Sequence, residues 1–80
     1  MSEQKIKQDS AIQIGKNIRV LRLQKGLGQT DLVRLLQLAG QPITRESLVK
    51  IEGGRQHLYA SQLRALRDVL DTSYDELLKG

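Results

Sequence analysis

Three charged side chains, Arg45, Glu46 and Lys50, crowd into the short stretch TRESLVKIEGGR, residues 44–55. An arginine can hold guanine O6 and N7 with two parallel hydrogen bonds, and a glutamate can accept from cytosine N4. A lysine can meet a base edge or a phosphate. This is the chemistry of recognition rather than bond breaking. The rest of the chain adds nothing catalytic. It has no cysteine and one histidine, His57, so neither a disulfide framework nor a cysteine zinc site can form. No nucleophile beside a base, no phosphate-cradling loop and no metal-ligand spacing is present. No enzyme activity, cofactor or metal is expected, and His57 reads as an ordinary exposed loop histidine.

The three charges need a helix to point them one way. Thr44 is a good N-cap, and the double glycine Gly53-Gly54 ends the element, which predicts a helix over 44–53. With Arg45 set at zero and about 100° per residue, Leu48 and Ile51 fall at about 300° and 240°. Glu46, Val49 and Lys50 fall at about 100°, 40° and 140°. One side is aliphatic, and the other presents Arg45, Glu46, Val49 and Lys50. The simplest account is a solvated face with an i,i+4 pair, Glu46 to Lys50, contributing a few tenths of a kcal/mol. The alternative is a face built to enter a groove.

The surroundings favour the groove. The 80-residue chain carries a formal charge of +4 and a sequence pI near 9.8. The excess is local: residues 1–55 hold ten Lys/Arg against five Asp/Glu, and residues 56–80 hold three against four. A basic surface on the first two thirds suits a polyanion. No apolar run approaches the roughly 20 residues needed to span a bilayer, and residues 1–10 do not read as a signal peptide. The expected location is the cytosol, with no membrane partner.

Helical periodicity organises the remainder into an all-α fold of five helices. Residues 1–9 read as a flexible arm and residues 10–80 as one domain. Ser10 and Gln13 fit a capping box opening a helix with Ile14, Ile18 and Leu21 at its buried side, closed by Gly26. A second helix runs from Gln29 to Leu38, with Asp31 in its first turn and Leu32, Leu35, Leu36 and Ala39 inward. Gly40 and Pro42 break it before the helix at 44–53. A fourth follows over about residues 60–70 on Leu63, Leu66, Val69 and Leu70. Ser73 and Glu76 cap a short fifth helix. No segment alternates with period two, so no strand is expected.

Two short helices joined by a break, the second with a polar outer face, form the helix-turn-helix layout, whose second helix fits a major groove about 12 Å wide. The segments IGKNIRVLRLQKGLGQTDL, ITRESLVKIEGGR, LRALRDVL and SYDELL follow in order. Together they resemble the lambda-repressor-like, Cro/repressor-type (XRE-family) helix-turn-helix domain over residues 12–78. The Gly-Leu-x-Gln at 26–29, the Ile-Glu-x-Gly at 51–54 and the closing Asp-Glu-Leu-Leu carry the likeness. The break QLAGQPIT at 37–44 is longer than the usual tight turn and is similar to the subgroup with an extended linker.

The resemblance implies a five-helix domain whose partner is double-stranded DNA. Gln29 would contact a phosphate and help lock the recognition helix. Arg22 and Glu52 would form an ion pair bracing it. Arg55 and Gln56, in the loop that follows, would track the backbone. Arg45 and Lys50 remain candidates for base or phosphate contact. Glu46 either reads a base or holds Arg45 or Lys50 in place. Val49 either meets a thymine methyl or packs on the linker. Thr44 caps first and contacts phosphate second, and Ser47 is a marginal phosphate candidate. Leu58, Tyr59, Tyr74, Leu77 and Leu78 are the expected homodimer face, with Val20 and Leu23 surplus on the first helix. The expected function is a sequence-specific regulator of transcription, such as a repressor. Its rival is a protein-interaction adaptor or antitoxin-like module that keeps the fold.

Overall fold

The computed structural model describes residues 4–8 and 13–80. Five helices and two short strands follow in the order β1 (Lys5–Ile6), α1 (Ile14–Gln24), α2 (Gln29–Leu38), α3 (Arg45–Glu52), β2 (Leu58–Tyr59), α4 (Ala60–Val69) and α5 (Tyr74–Leu78). Among the described residues the fold is mostly helical. Three of its stops are glycines with positive φ, Gly26 at 72° after α1, Gly40 at 83° after α2 and Gly54 at 74° after α3, a conformation that costs other residues a steric penalty.

The α2 helix has the predicted bounds, Gln29–Leu38. Its opening is fixed by Asp31, whose carboxylate accepts the Gly28 N–H at 2.8 Å. That carboxylate also lies at the positive end of the helix. In α5 the Ser73 hydroxyl accepts the Glu76 N–H at 3.1 Å. The α4 helix stops at Val69, with Leu70 as its C-cap.

Packing places α3 in the middle, against α1 on one side and α2 on the other. The α4 helix backs α2, and α5 returns to α1. Asn17 secures that return: its Nδ2 donates to the carbonyls of Leu77 and Lys79 at 2.8 and 2.7 Å. The core is aliphatic. Ile14 and Ile18 of α1, Leu32 and Leu36 of α2 and Leu48 and Ile51 of α3 are fully buried. With neither Phe nor Trp in the chain, this packing supplies most of the hydrophobic stabilisation.

Several expectations are corrected. A two-stranded antiparallel ladder exists: Lys5 pairs with Tyr59 and Ile6 with Leu58. Residues 4–8 are therefore docked rather than a frayed arm, and Ile6 packs on the core. Two residues per strand are too few for alternation to show in a sequence. The N-cap of α1 is Gln13, which makes no side-chain cap bond, and Ser10 lies outside the described residues. Leu35 and Ala39 are not core: the buried stripe of α2 is narrower, and Leu38 is 78% exposed.

Two residues assigned to a dimer face, Leu58 and Leu77, are fully buried within one chain. Leu58 is the β2 residue paired with Ile6 and Leu77 is the buried residue of α5. Exposing either would open the core, so neither is available to a second copy. Tyr59 and Tyr74 remain exposed and Leu78 half-buried.

Candidate nucleic-acid interface

The helix α3 starts where the Thr44 hydroxyl accepts the Ser47 N–H at 3.0 Å. That bond employs both residues locally: Thr44 as the cap, Ser47 as a half-buried first-turn residue. Leu48 and Ile51 anchor one side in the core, and Arg45, Glu46, Val49 and Lys50 are all exposed on the other. Val49 is the least open of these side chains, 37% exposed. Lys50 Nζ lies 3.4 Å from Glu46 Oε1. Glu46 is in the first turn and Lys50 in the last, so both charges also complement the helix dipole. Arg45 has no acidic partner within ion-pair distance among the described residues.

The far end of α3 is clamped. Arg22 Nε donates to Glu52 Oε2 at 2.7 Å and Arg22 Nη2 to Oε1 at 2.9 Å, a two-pronged geometry that fixes both planes. Arg22 Nη1 donates to the Leu27 carbonyl at 2.9 Å. Gln29 Nε2, from the first residue of α2, donates to the same Glu52 Oε1 at 3.2 Å. Three helices thus meet on one carboxylate. Donating to the Glu52 carboxylate raises the Arg22 pKa above its ordinary value, against the opposing effect of burial and with help from the neighbouring negative charge.

Close approach of α1 and α3 makes the clamp possible. A Cβ on Gly15 would overlap the Ile51 carbonyl oxygen, so the helices touch there backbone to backbone. Arg22, seven residues further along α1, returns to the same side and reaches Glu52.

The loop after α3 is held by a residue that sequence reasoning passed over. Gln8 Nε2 donates to the carbonyls of Ile51 and Gln56 at 3.1 and 2.8 Å. Its Oε1 accepts the Gly15 N–H at 2.7 Å, and its backbone N–H donates to His57 Nδ1 at 3.0 Å. His57 is therefore a half-buried acceptor rather than an ordinary exposed loop histidine. A glutamine used through both ends of its amide leaves no mark in periodicity or charge. Gln56 is half-buried, with its carbonyl spent on Gln8, while Arg55 is exposed and its N–H donates to the Lys50 carbonyl at 2.8 Å.

No family model, curated protein or solved structure matches this chain. Among the described residues no helix is long and apolar enough to cross a membrane, and no group of three or more His, Cys, Asp or Glu side chains could hold a metal ion.

Proposed function

We propose that this chain is a sequence-specific DNA-binding regulator of transcription of the lambda-repressor-like helix-turn-helix kind, acting in the cytosol. In this reading α2 and α3 are the two helices of the motif and α3 enters the major groove. One observation carries it: α3 is locked on its inner side and at its end, yet leaves Arg45, Glu46, Val49 and Lys50 exposed together. A rigid polar helix face on a basic chain is suited to reading base edges, which needs side chains placed to a fraction of an ångström.

Arg45 and Lys50 supply the donors. Glu46 is the group that a phosphate surface repels, so it works by accepting from a cytosine amine or by orienting Lys50. Gln29, Thr44 and Ser47 at the helix starts, with Arg55 and Gln56 in the following loop, are the positioning contacts to phosphate. A single unit reads few base pairs, and a two-fold homodimer on an inverted repeat supplies the remaining discrimination. Its face is the remainder of the C-terminal region, the exposed Tyr59 and Tyr74 with the half-buried Leu78 at their edge. Tyr74 is backed by the Arg67 guanidinium 4.7 Å from its ring centroid.

The second reading, a protein-interaction adaptor, draws support from Leu38, an aliphatic side chain 78% exposed on α2. Selection of bound duplexes from a random pool, followed by a salt titration, separates the two. The regulator recovers an inverted repeat and loses affinity linearly in log–log form as salt rises, because bound phosphates release counterions. An adaptor enriches no sequence and shows no such slope with any duplex.

A further inference from the structure

A groove of about 460 Å³ runs between α1 and α3, lined by Arg19, Arg22, Gln29, Val49, Glu52, Gly53 and Arg55. Arg22 and Glu52 neutralise each other at its buried floor. The two remaining charges, Arg19 and Arg55, are both exposed, one on each wall. Neither has an acidic partner within ion-pair distance among the described residues. Arg55 leans into the groove: its Nε would lie 3.3 Å from a Cβ placed on Gly53. Arg19 is four residues after Gly15 and three before Arg22, so it shares the side of α1 that faces α3.

We infer that this groove is a clamp for a single backbone phosphate of duplex DNA, closed by Arg19 from α1 and Arg55 from the loop after α3. The inference rests on the DNA-binding reading and adds to it a site on α1. Two unneutralised guanidiniums flanking a cleft with an apolar wall, Val49, and an amide, Gln29, match one anionic tetrahedral group. Planar N–H forks suit phosphate oxygens, and the Arg22–Glu52 floor leaves no free carboxylate to repel them. Val49 belongs both to this groove and to the outward face of α3, so the clamp adjoins the reading face, where a phosphate bordering the major groove would lie. Arg19 is then a positioning residue that sets the depth and tilt of α3 and carries no sequence information.

The test compares wild type, Arg19→Gln, Arg19→Lys and Arg64→Gln on one selected duplex between about 50 and 200 mM salt. Arg64 is an exposed arginine on α4 that lines no part of the groove, so its variant carries the same change in net charge. Arg19→Gln is expected to lose about tenfold in affinity, the scale of one charge-assisted hydrogen bond. Its salt slope should become shallower by about 0.9, with the preferred sequence unchanged. Arg19→Lys should recover the slope and part of the affinity, and Arg64→Gln should change little. Replacing single phosphates by uncharged methylphosphonates should reveal one linkage whose loss weakens wild type more than Arg19→Gln, which keeps only Arg55 on that phosphate. A steep slope in wild type with Arg19→Gln indistinguishable from Arg64→Gln would overturn the clamp alone. No slope in wild type would overturn the DNA-binding reading and the clamp together.

Discussion

Helix α3 carries two ion pairs that look alike in a sequence and differ in the molecule. Glu46–Lys50 spans one turn at 3.4 Å, with side chains 81% and 47% exposed. Arg22–Glu52 joins two helices at 2.7 Å, with side chains 8% and 4% exposed. The first is in water, where an i,i+4 pair contributes a few tenths of a kcal/mol and can be exchanged at little cost for a contact to another molecule. The second is removed from water, where each charge depends on the other, and its use is orientation rather than net stability. One helix thus has a replaceable pair on the face it offers and an irreplaceable pair at the end by which it is held.

The contrast is open to breaking, starting where the effect is largest. Glu52→Ala leaves the Arg22 guanidinium buried without its carboxylate and frees Gln29. It should cost about 3–5 kcal/mol in chemical denaturation. It should also reduce the preference for selected over random DNA, although the Glu52 side chain is buried. Unchanged stability and unchanged preference would show that the clamp does not hold α3. Gly15→Ala attacks the same end by sterics, forcing α1 and α3 apart to admit a methyl. A loss of about 2–3 kcal/mol is expected; a neutral outcome in a thermal melt would mean that the helices have room between them.

Thr44→Ala removes the cap at the opposite end of α3. About 1 kcal/mol should be lost, measured by the same unfolding experiment, and sequence preference should survive because the clamp at Glu52 remains. Glu46→Gln is the mildest. Stability should move by less than about 0.5 kcal/mol, while the base preferred opposite α3 should change or relax on reselection. A large stability loss here would erase the distinction between the two pairs.

What could be read in advance follows from how each signal arises. The bounds of α2 and the Thr44 cap were legible because caps, glycine stops and helical spacing are local. Arg45, Glu46, Val49 and Lys50 were legible as one face because a helix maps order onto angle. The ladder and the hub at Gln8 were not, because two-residue strands carry no period and an amide that bridges distant carbonyls has no local signature. Leu58 and Leu77 were misassigned because an aliphatic near an amphipathic helix fits the monomer core as well as a partner surface, and only the β1–β2 ladder for Leu58 and the packing of α5 on α1 for Leu77 decide. Arg19 was hidden for a related reason: its direction has meaning only once Gly15 shows which side of α1 meets α3.

The Gly15 amide is also a built-in gauge. Sitting in the first turn of α1, it has no acceptor within its own helix and donates instead to the Gln8 side chain. Detachment of β1 would withdraw that acceptor and the donor to Ile51 in one motion. Exchange of a single proton for deuterium at Gly15 would therefore time how often the amino-terminal strand lets go of the helix proposed to read DNA.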